Sequence, residues 1–160
     1  HTDSVDGAED MNIVGVRVTM SYGEDETTDP SLLGGCVGPA GGQNADDTIT
    51  GSATHLNFTE SNDGQNGGQN SGHEVAVEWF NSSMVGATVS ELTESEIVNQ
   101  IDSMGAGLGI YSIEIGVVAE SGNAPGPACS RSDAGEEVTY SVELIIFDYT
   151  IAPAFDEAEL

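Results

Sequence analysis

Lysine is absent from this 160-residue chain, and arginine occurs only at Arg17 and Arg131. That near-lack of cations excludes the basic footprint that nucleic acid or an anionic membrane surface demands of a partner. Long apolar runs are missing as well. The longest, Leu144 to Phe147, is four residues, far short of the roughly 18 needed to cross a bilayer, so no membrane insertion is expected. Catalytic signatures are equally scarce. The histidines His1, His55 and His73 form no HExxH or H-x-x-x-H pattern and pair with neither cysteine. There is no G-x-S-x-G elbow. The glycine-rich stretches precede neither a Lys-Ser/Thr pair nor a helix, which excludes a phosphate-binding loop. Near strand ends, His55 and His73 are expected to be ordinary surface residues.

Carboxylates are what the chain has in abundance. Asp and Glu number 28, for a formal net charge of -26. Such a charge repels itself in any compact state unless something screens it. At about 1 M salt the Debye length is roughly 3 Å, and exposed carboxylates then hardly interact. Disordered acidic tails concentrate charge in blocks and lack strand patterns. Here the acids are spread through clean β-alternation. The expectation is a protein of an extreme halophile or its virus, folded in molar salt. The chain begins at His1 rather than Met, which fits removal of an upstream segment such as a signal peptide.

The length suits one domain with a modest core. His1 to Asp10 is polar and acidic and reads as a flexible arm (1–10). A single β-sandwich domain is expected over 11–152, and an acidic tail over 153–160. Val14, Val16, Val18, Met20 and Tyr22 alternate with Gly15, Arg17, Thr19 and Ser21, which predicts a strand with one buried face. Arg17 falls on its outer face, where a carboxylate neighbour is expected. A weaker strand pattern covers Thr48 to Phe58, with small residues that suggest close approach by another sheet or chain. Val75, Val77 and Trp79 mark another strand, and Met84 to Val89 a further one. Trp79 and Phe80 are adjacent and should face opposite sides. Tyr111, Ile113, Ile115 and Val117 mark the next strand.

The longest pattern is Glu137 to Ile151. Its apolar parity switches between Leu144 and Phe147, which requires a bulge, a bend or cover on both sides. Tyr111 to Val117 is its expected antiparallel neighbour. The surplus apolar surface of Ile145 to Ile151 should be covered by the helix or by another subunit. One helix is predicted at Glu94 to Met104. Thr93 and Glu96 form a capping box, Leu92 and Ile97 a hydrophobic staple, and Gly105 a stop. Between these elements lie loops rich in Gly, Pro, Asn and Asp. Glu60 to Gly72 reads as the most flexible, with GGQN at Gly41 to Asn44 and again at Gly67 to Asn70. The pattern predicts an all-β fold: a two-sheet antiparallel β-sandwich, jelly-roll-like, as a single domain with one short α-helix (about 94–104). A β-barrel with a flanking helix is the alternative.

Cys36 and Cys129, in long Gly/Pro loops, are candidates for a disulfide within one chain or between subunits. An internal bridge would close about 94 residues and contribute on the order of 4 kcal/mol in the chain-entropy model. Asn57-Phe58-Thr59 and Asn81-Ser82-Ser83 match the N-glycosylation pattern, making Asn57 and Asn81 candidate acceptors, although one or two matches arise by chance in so Asn- and Ser/Thr-rich a chain. Acidic stretches at Glu24 to Asp29, Asp46-Asp47 and Glu60 to Asp63 offer oxygen ligands for Ca²⁺ or Mg²⁺, but none has EF-hand spacing. No other cofactor and no catalytic or metal site is expected.

Together these features point to a non-enzymatic structural protein outside the cell or in a virion. Its most specific form is a self-assembling capsid or tail subunit of a haloarchaeal virus. Its partners would be copies of itself or other subunits of an external assembly. The competing readings are a secreted or cell-surface binding or adhesion module, and a surface appendage subunit. A small hydrolase with an unrecognised site ranks behind them. The halophilic reading predicts that far-UV circular dichroism loses its β signal as salt is diluted to about 0.1 M; an unchanged spectrum would contradict it.

Overall fold

The computed structural model describes residues 1–23, 27–29, 45–66, 70–80, 82–122 and 130–153. In chain order the strands are β1 (Ile13–Gly23), β2 (Thr27–Asp29), β3 (Asp47–His55), β4 (Phe58–Asn66) and β5 (Ser71–Glu78). The helix α1 (Glu94–Ile101) follows, then β6 (Ser112–Val118), β7 (Ser130–Ser132) and β8 (Glu137–Ile146). Every pairing is antiparallel. One sheet has the order β5-β1-β8, a second β4-β3-β6, and β2 with β7 forms a two-stranded ribbon. The two three-stranded sheets pack face to face as an all-β sandwich with one helix. They remain two sheets and do not close into a barrel.

The alternation of β1 sets the core. Val16, Val18, Met20 and Tyr22 point between the sheets and are buried. They meet Ile49 and Ala53 from β3, with Val75 and Val77 beside them from β5. Fully burying each of these larger side chains contributes about 1.5–3 kcal/mol. The small residues of β3 serve the expected close approach: a Cβ on Gly51 would collide with the Met20 thioether in the other sheet. On the outer face, Arg17 pairs with Glu74 at 3.7 Å.

The parity switch sensed near Leu144 is resolved on the partner strand. Ile13 pairs with Ile146 and Gly15 with Ile145, so β1 spends an extra residue at Val14. Ile13 and Val14 are consecutive and both buried, as a bulge permits. The Trp79 N–H donates to Val14 O at 2.9 Å and carries the β5 ladder past it.

Several expectations are corrected. β8 stops at Ile146 rather than Ile151, because Phe147 to Ile151 turns away to meet the helix. Phe147 stacks on Phe80 at 4.9 Å, and the Tyr149 hydroxyl donates to Asp102 Oδ2 at 2.8 Å. The segment and the helix thus line a common groove, with Phe147, Tyr149 and Ile151 half-buried. The helix itself ends at Ile101, short of Met104. Asn12 takes over its terminus: Nδ2 donates to Ile101 O and Phe147 O, both at 3.0 Å, and Oδ1 accepts from Ser103 N at 2.8 Å. The capping box of Thr93 and Glu96 forms as predicted, and Thr93 holds the Glu96 carboxyl below its usual range through backbone and side-chain hydrogen bonds.

The strand expected over Thr48 to Phe58 turns at Leu56 and Asn57, and β4 (Phe58–Asn66) occupies the first half of the stretch Glu60 to Gly72 expected as a flexible loop. Its side chains are almost all polar and exposed, so no period-2 pattern marks it; the full ladder to β3 holds it instead. Met84 to Val89 is not a strand among the described residues. β6 pairs with β3 in the opposite sheet rather than with β8, since the connection from β6 crosses to the other sheet before β8 begins. The N-terminal arm is docked: Thr2 and Ala8 are buried, and Thr2 exchanges two hydrogen bonds with Gly109, at 3.0 and 2.9 Å. The tail from 154 onward lies outside the described residues.

Close inter-sheet packing makes a contrast measurable. Gly51→Val is expected to cost about 1–3 kcal/mol through overpacking, read as a lower thermal midpoint in molar salt. Gly116→Val meets nothing within 4 Å and should stay within about 0.5 kcal/mol of the parent. Equal effects at the two positions would contradict this packing.

Candidate functional site

The sandwich is closed along one edge and open along the other. β4 approaches β5 closely, whereas β6 and β8, on the opposite edge, make no comparable contact. The consequence falls on β8. Met20 and Tyr140 are paired neighbours on one face of one sheet, as are Val18 and Val142. Met20 and Val18 are each 1% exposed, but Tyr140 is 57%, Val142 45% and Ile146 49% exposed. Val117 and Val118, on the facing edge strand, are also exposed. The row Val138, Tyr140, Val142, Leu144, Ile146 thus has the composition of a core, with Val138 packed on the core and Leu144 half-buried, while Tyr140, Val142 and Ile146 lack cover among the described residues. It contains no charge and no proline, the devices that normally blunt an edge strand. Glu137, Glu143 and the hydroxyl residues Thr139 and Ser141 occupy the other face.

The second surface lies at the end of the sandwich that carries the β3–β4 turn. Leu56, Phe58, Met104, Leu108 and Ile110 are exposed there. Leu56 and Met104 hold positive φ, at 53° and 50°, a conformation that costs a side-chain-bearing residue about 1–2 kcal/mol. No Asp, Glu, Lys or Arg occurs from Thr48 to Thr59 or from Ser103 to Ile113. Beneath this surface four rings assemble: His55 stacks on Tyr111 at 4.1 Å, and Trp79 lies 5.0 Å from His55 and 5.8 Å from Phe58. His55 is 2% exposed, against the expectation of a surface residue. Its place at an inward position of β3 was readable from alternation with Ile49, Gly51 and Ala53. Trp79 and Phe80 do face opposite sides, Phe80 joining Phe147.

A groove of about 370 Å³ is lined by residues 84–89, Ile97, Ile101 and residues 147–152. It holds no histidine or cysteine and no nucleophile–base pair among the described residues. Hydrogen bonding to Asp102 is the first cause that raises the Tyr149 phenol above its ordinary value, with burial and the Asp102 and Glu94 charges adding to it.

Of the residues singled out by motif, Asn57 is exposed in the β3–β4 turn. Cys36, Cys129 and Asn81 lie outside the described residues. Asp29 and Ser130 are paired neighbours in the β2–β7 ribbon, so the chain entering the Cys36 stretch runs beside the chain that follows Cys129. Among the described residues no group of three or more His, Cys, Asp and Glu is placed to hold a metal ion. The Glu60 to Asp63 stretch lies in β4, whose alternation sends successive side chains to opposite faces. Asp46 is exposed while Asp47 is buried and accepts from Glu120 N at 2.8 Å.

No protein-family model matches this chain, and no curated protein or solved structure is significantly similar to it. The functional reading therefore rests on the chain's own residues.

Burial pushes the Tyr111 phenol up to about 12 from 10.0, and its hydroxyl donates to Gly107 O at 2.6 Å. Folding favours the neutral phenol. Its contribution to stability is complete below the ordinary phenol value and is lost as pH rises through about 12. A spectrophotometric titration in molar salt should show a late tyrosine step that Tyr111→Phe removes. A parent titration identical to that of the variant would contradict the assignment.

Proposed function

We propose that this chain is a non-enzymatic, self-assembling structural subunit of an extreme halophile's exterior, and in its most specific form a capsid or tail subunit of a haloarchaeal virus. The observation that carries the reading is β8, a ten-residue edge strand whose inward apolar row is half exposed. Free strand edges template pairing with further strands, and monomers ordinarily guard them. An unguarded one fits a subunit whose missing cover is another copy. At about 25 cal/mol per Å² of apolar surface removed from water, covering this row repays part of the cost of association.

Charge supports the same reading. Copies carrying -26 each repel over long range in dilute buffer but not in molar salt. The uncharged β8 row is a surface where two such copies can meet without opposing carboxylates. An extracellular or virion setting follows from this reading, and a Cys36–Cys129 disulfide would suit it. The second reading, a secreted or cell-surface adhesion module, is favoured by the exposed apolar residues around Leu56 and Ile110.

Light scattering after size exclusion in 2–4 M salt tests the proposal. The parent should elute as multiples of 16.5 kDa, increasingly so at higher concentration. Val142→Glu, which places a charge in the uncovered row, should remain monomeric with an unchanged circular dichroism spectrum. A parent that is monomeric at every concentration would defeat the proposal.

A further inference from the structure

His55 closes β3 beneath the end of the molecule that lacks Asp, Glu, Lys and Arg. Its Nδ1 lies 2.9 Å from Ile110 O and its Nε2 2.7 Å from Ala106 O. Both partners are backbone carbonyl oxygens, which accept and never donate. A neutral imidazole has one N–H and satisfies only one of them. The other nitrogen would then press a lone pair against a carbonyl oxygen, away from solvent, with the cost of an unmade buried hydrogen bond. A ring protonated on both nitrogens satisfies both carbonyls.

We propose that His55 is a structural imidazolium, a proton-dependent fastener that ties the β3–β4 turn to the Ala106–Ile110 stretch through two charge-assisted hydrogen bonds. Its surroundings suit a buried cation. Tyr111 lies parallel to the ring, 11° from coplanar, and Trp79 covers it at a 33° tilt, so aromatic faces offer cation–π attraction. Among the titratable groups on the elements packed here, only Tyr111 touches the ring among the described residues. Its hydroxyl is committed to Gly107 O. Elsewhere on these elements, Asp102 is bonded to Tyr149 and Met104, His1 pairs with Asp3, and Glu60, Glu78 and Glu114 are exposed.

The fastener holds a strained region in place. Leu56 follows His55 directly at φ 53°, and Ile110, whose carbonyl is bound, is the most exposed large apolar residue of the described chain, at 72%. Loss of one proton as pH rises removes one of the two hydrogen bonds and loosens Ala106–Ile110. This inference stands on the His55 geometry and does not depend on self-assembly.

Two measurements on the parent protein in molar salt test it. Nitrogen–proton correlation spectra of the histidine side chains at about pH 7 should show protons on both His55 nitrogens, with slow solvent exchange. Trp79, the only tryptophan, should be quenched by the adjacent imidazolium and brighten in one step as pH rises. His55→Gln, which retains one donor, should lack that step. If the variant does not fold, the parent spectra decide alone. A single protonated nitrogen at about pH 7, or Trp79 emission that does not change with pH, would overturn the proposal.

Discussion

β1 and β3 are the central strands of the two sheets, buried on their inner faces along most of their length, and everything else depends on how those faces meet. The close approach needs the hydrogen side chain of Gly51 opposite Met20, and it draws β5 and β4 in along one edge. With three strands per sheet, β8 and β6 are the edge strands of the open side and make no close contact with each other among the described residues. The core is accordingly small: eight buried residues form its centre, with Trp79, Tyr111, Ile113, Ile115 and Val138 packed around them. A domain of this size has little stability to spare, so leaving Tyr140, Val142 and Ile146 half exposed is costly unless something covers them.

The carboxylate surface and the open flank are two sides of one physical problem. A charge of -26 keeps copies apart in dilute buffer, and molar salt removes that protection while strengthening the drive to bury apolar surface. An unguarded edge is therefore hazardous only where the protein is also well folded. The carboxylates near the edge, Glu137 and Glu143, are on its outer face. They preserve hydration without obstructing the apolar row. At the end of the sandwich the same logic recurs in the stretches around Leu56 and Ile110, where carboxylates are absent and the rings of His55, Tyr111 and Trp79 pack together.

Much of this architecture was legible in the residues. The even row of β1, the odd row of β5, the capping box at Thr93 and the separation of Trp79 from Phe80 all follow from period and chemistry. β4 was not legible because its side chains are polar on both faces; backbone pairing with β3 gives it its conformation, and no side-chain period records that. Alternation says which face of a strand is buried but not which sheet it joins, so β6 was assigned to the wrong neighbour. The early end of α1 depends on Asn12, 89 residues away from Ile101, a long-range cap that no local signal reveals. His55 was misplaced for a different reason: its inward parity was visible, but a polar residue at a strand end was given the surface by default. The uncovered flank of β8 was half legible. Its apolar surplus is legible over Ile145–Ile151, which includes the exposed Ile146, but Tyr140 and Val142 sit in a clean alternation that reads as an ordinary buried face.

The central claim is that β8 awaits cover from another copy. Hydrogen–deuterium exchange in molar salt, followed by β8 amide as protein concentration is raised, tests it most directly. Pairing of the free edge should slow alternate β8 amides, those directed away from β1, while the amides of β3, already paired on both sides, keep their rates. Exchange along β8 that is fast on its free edge and independent of concentration would contradict the account.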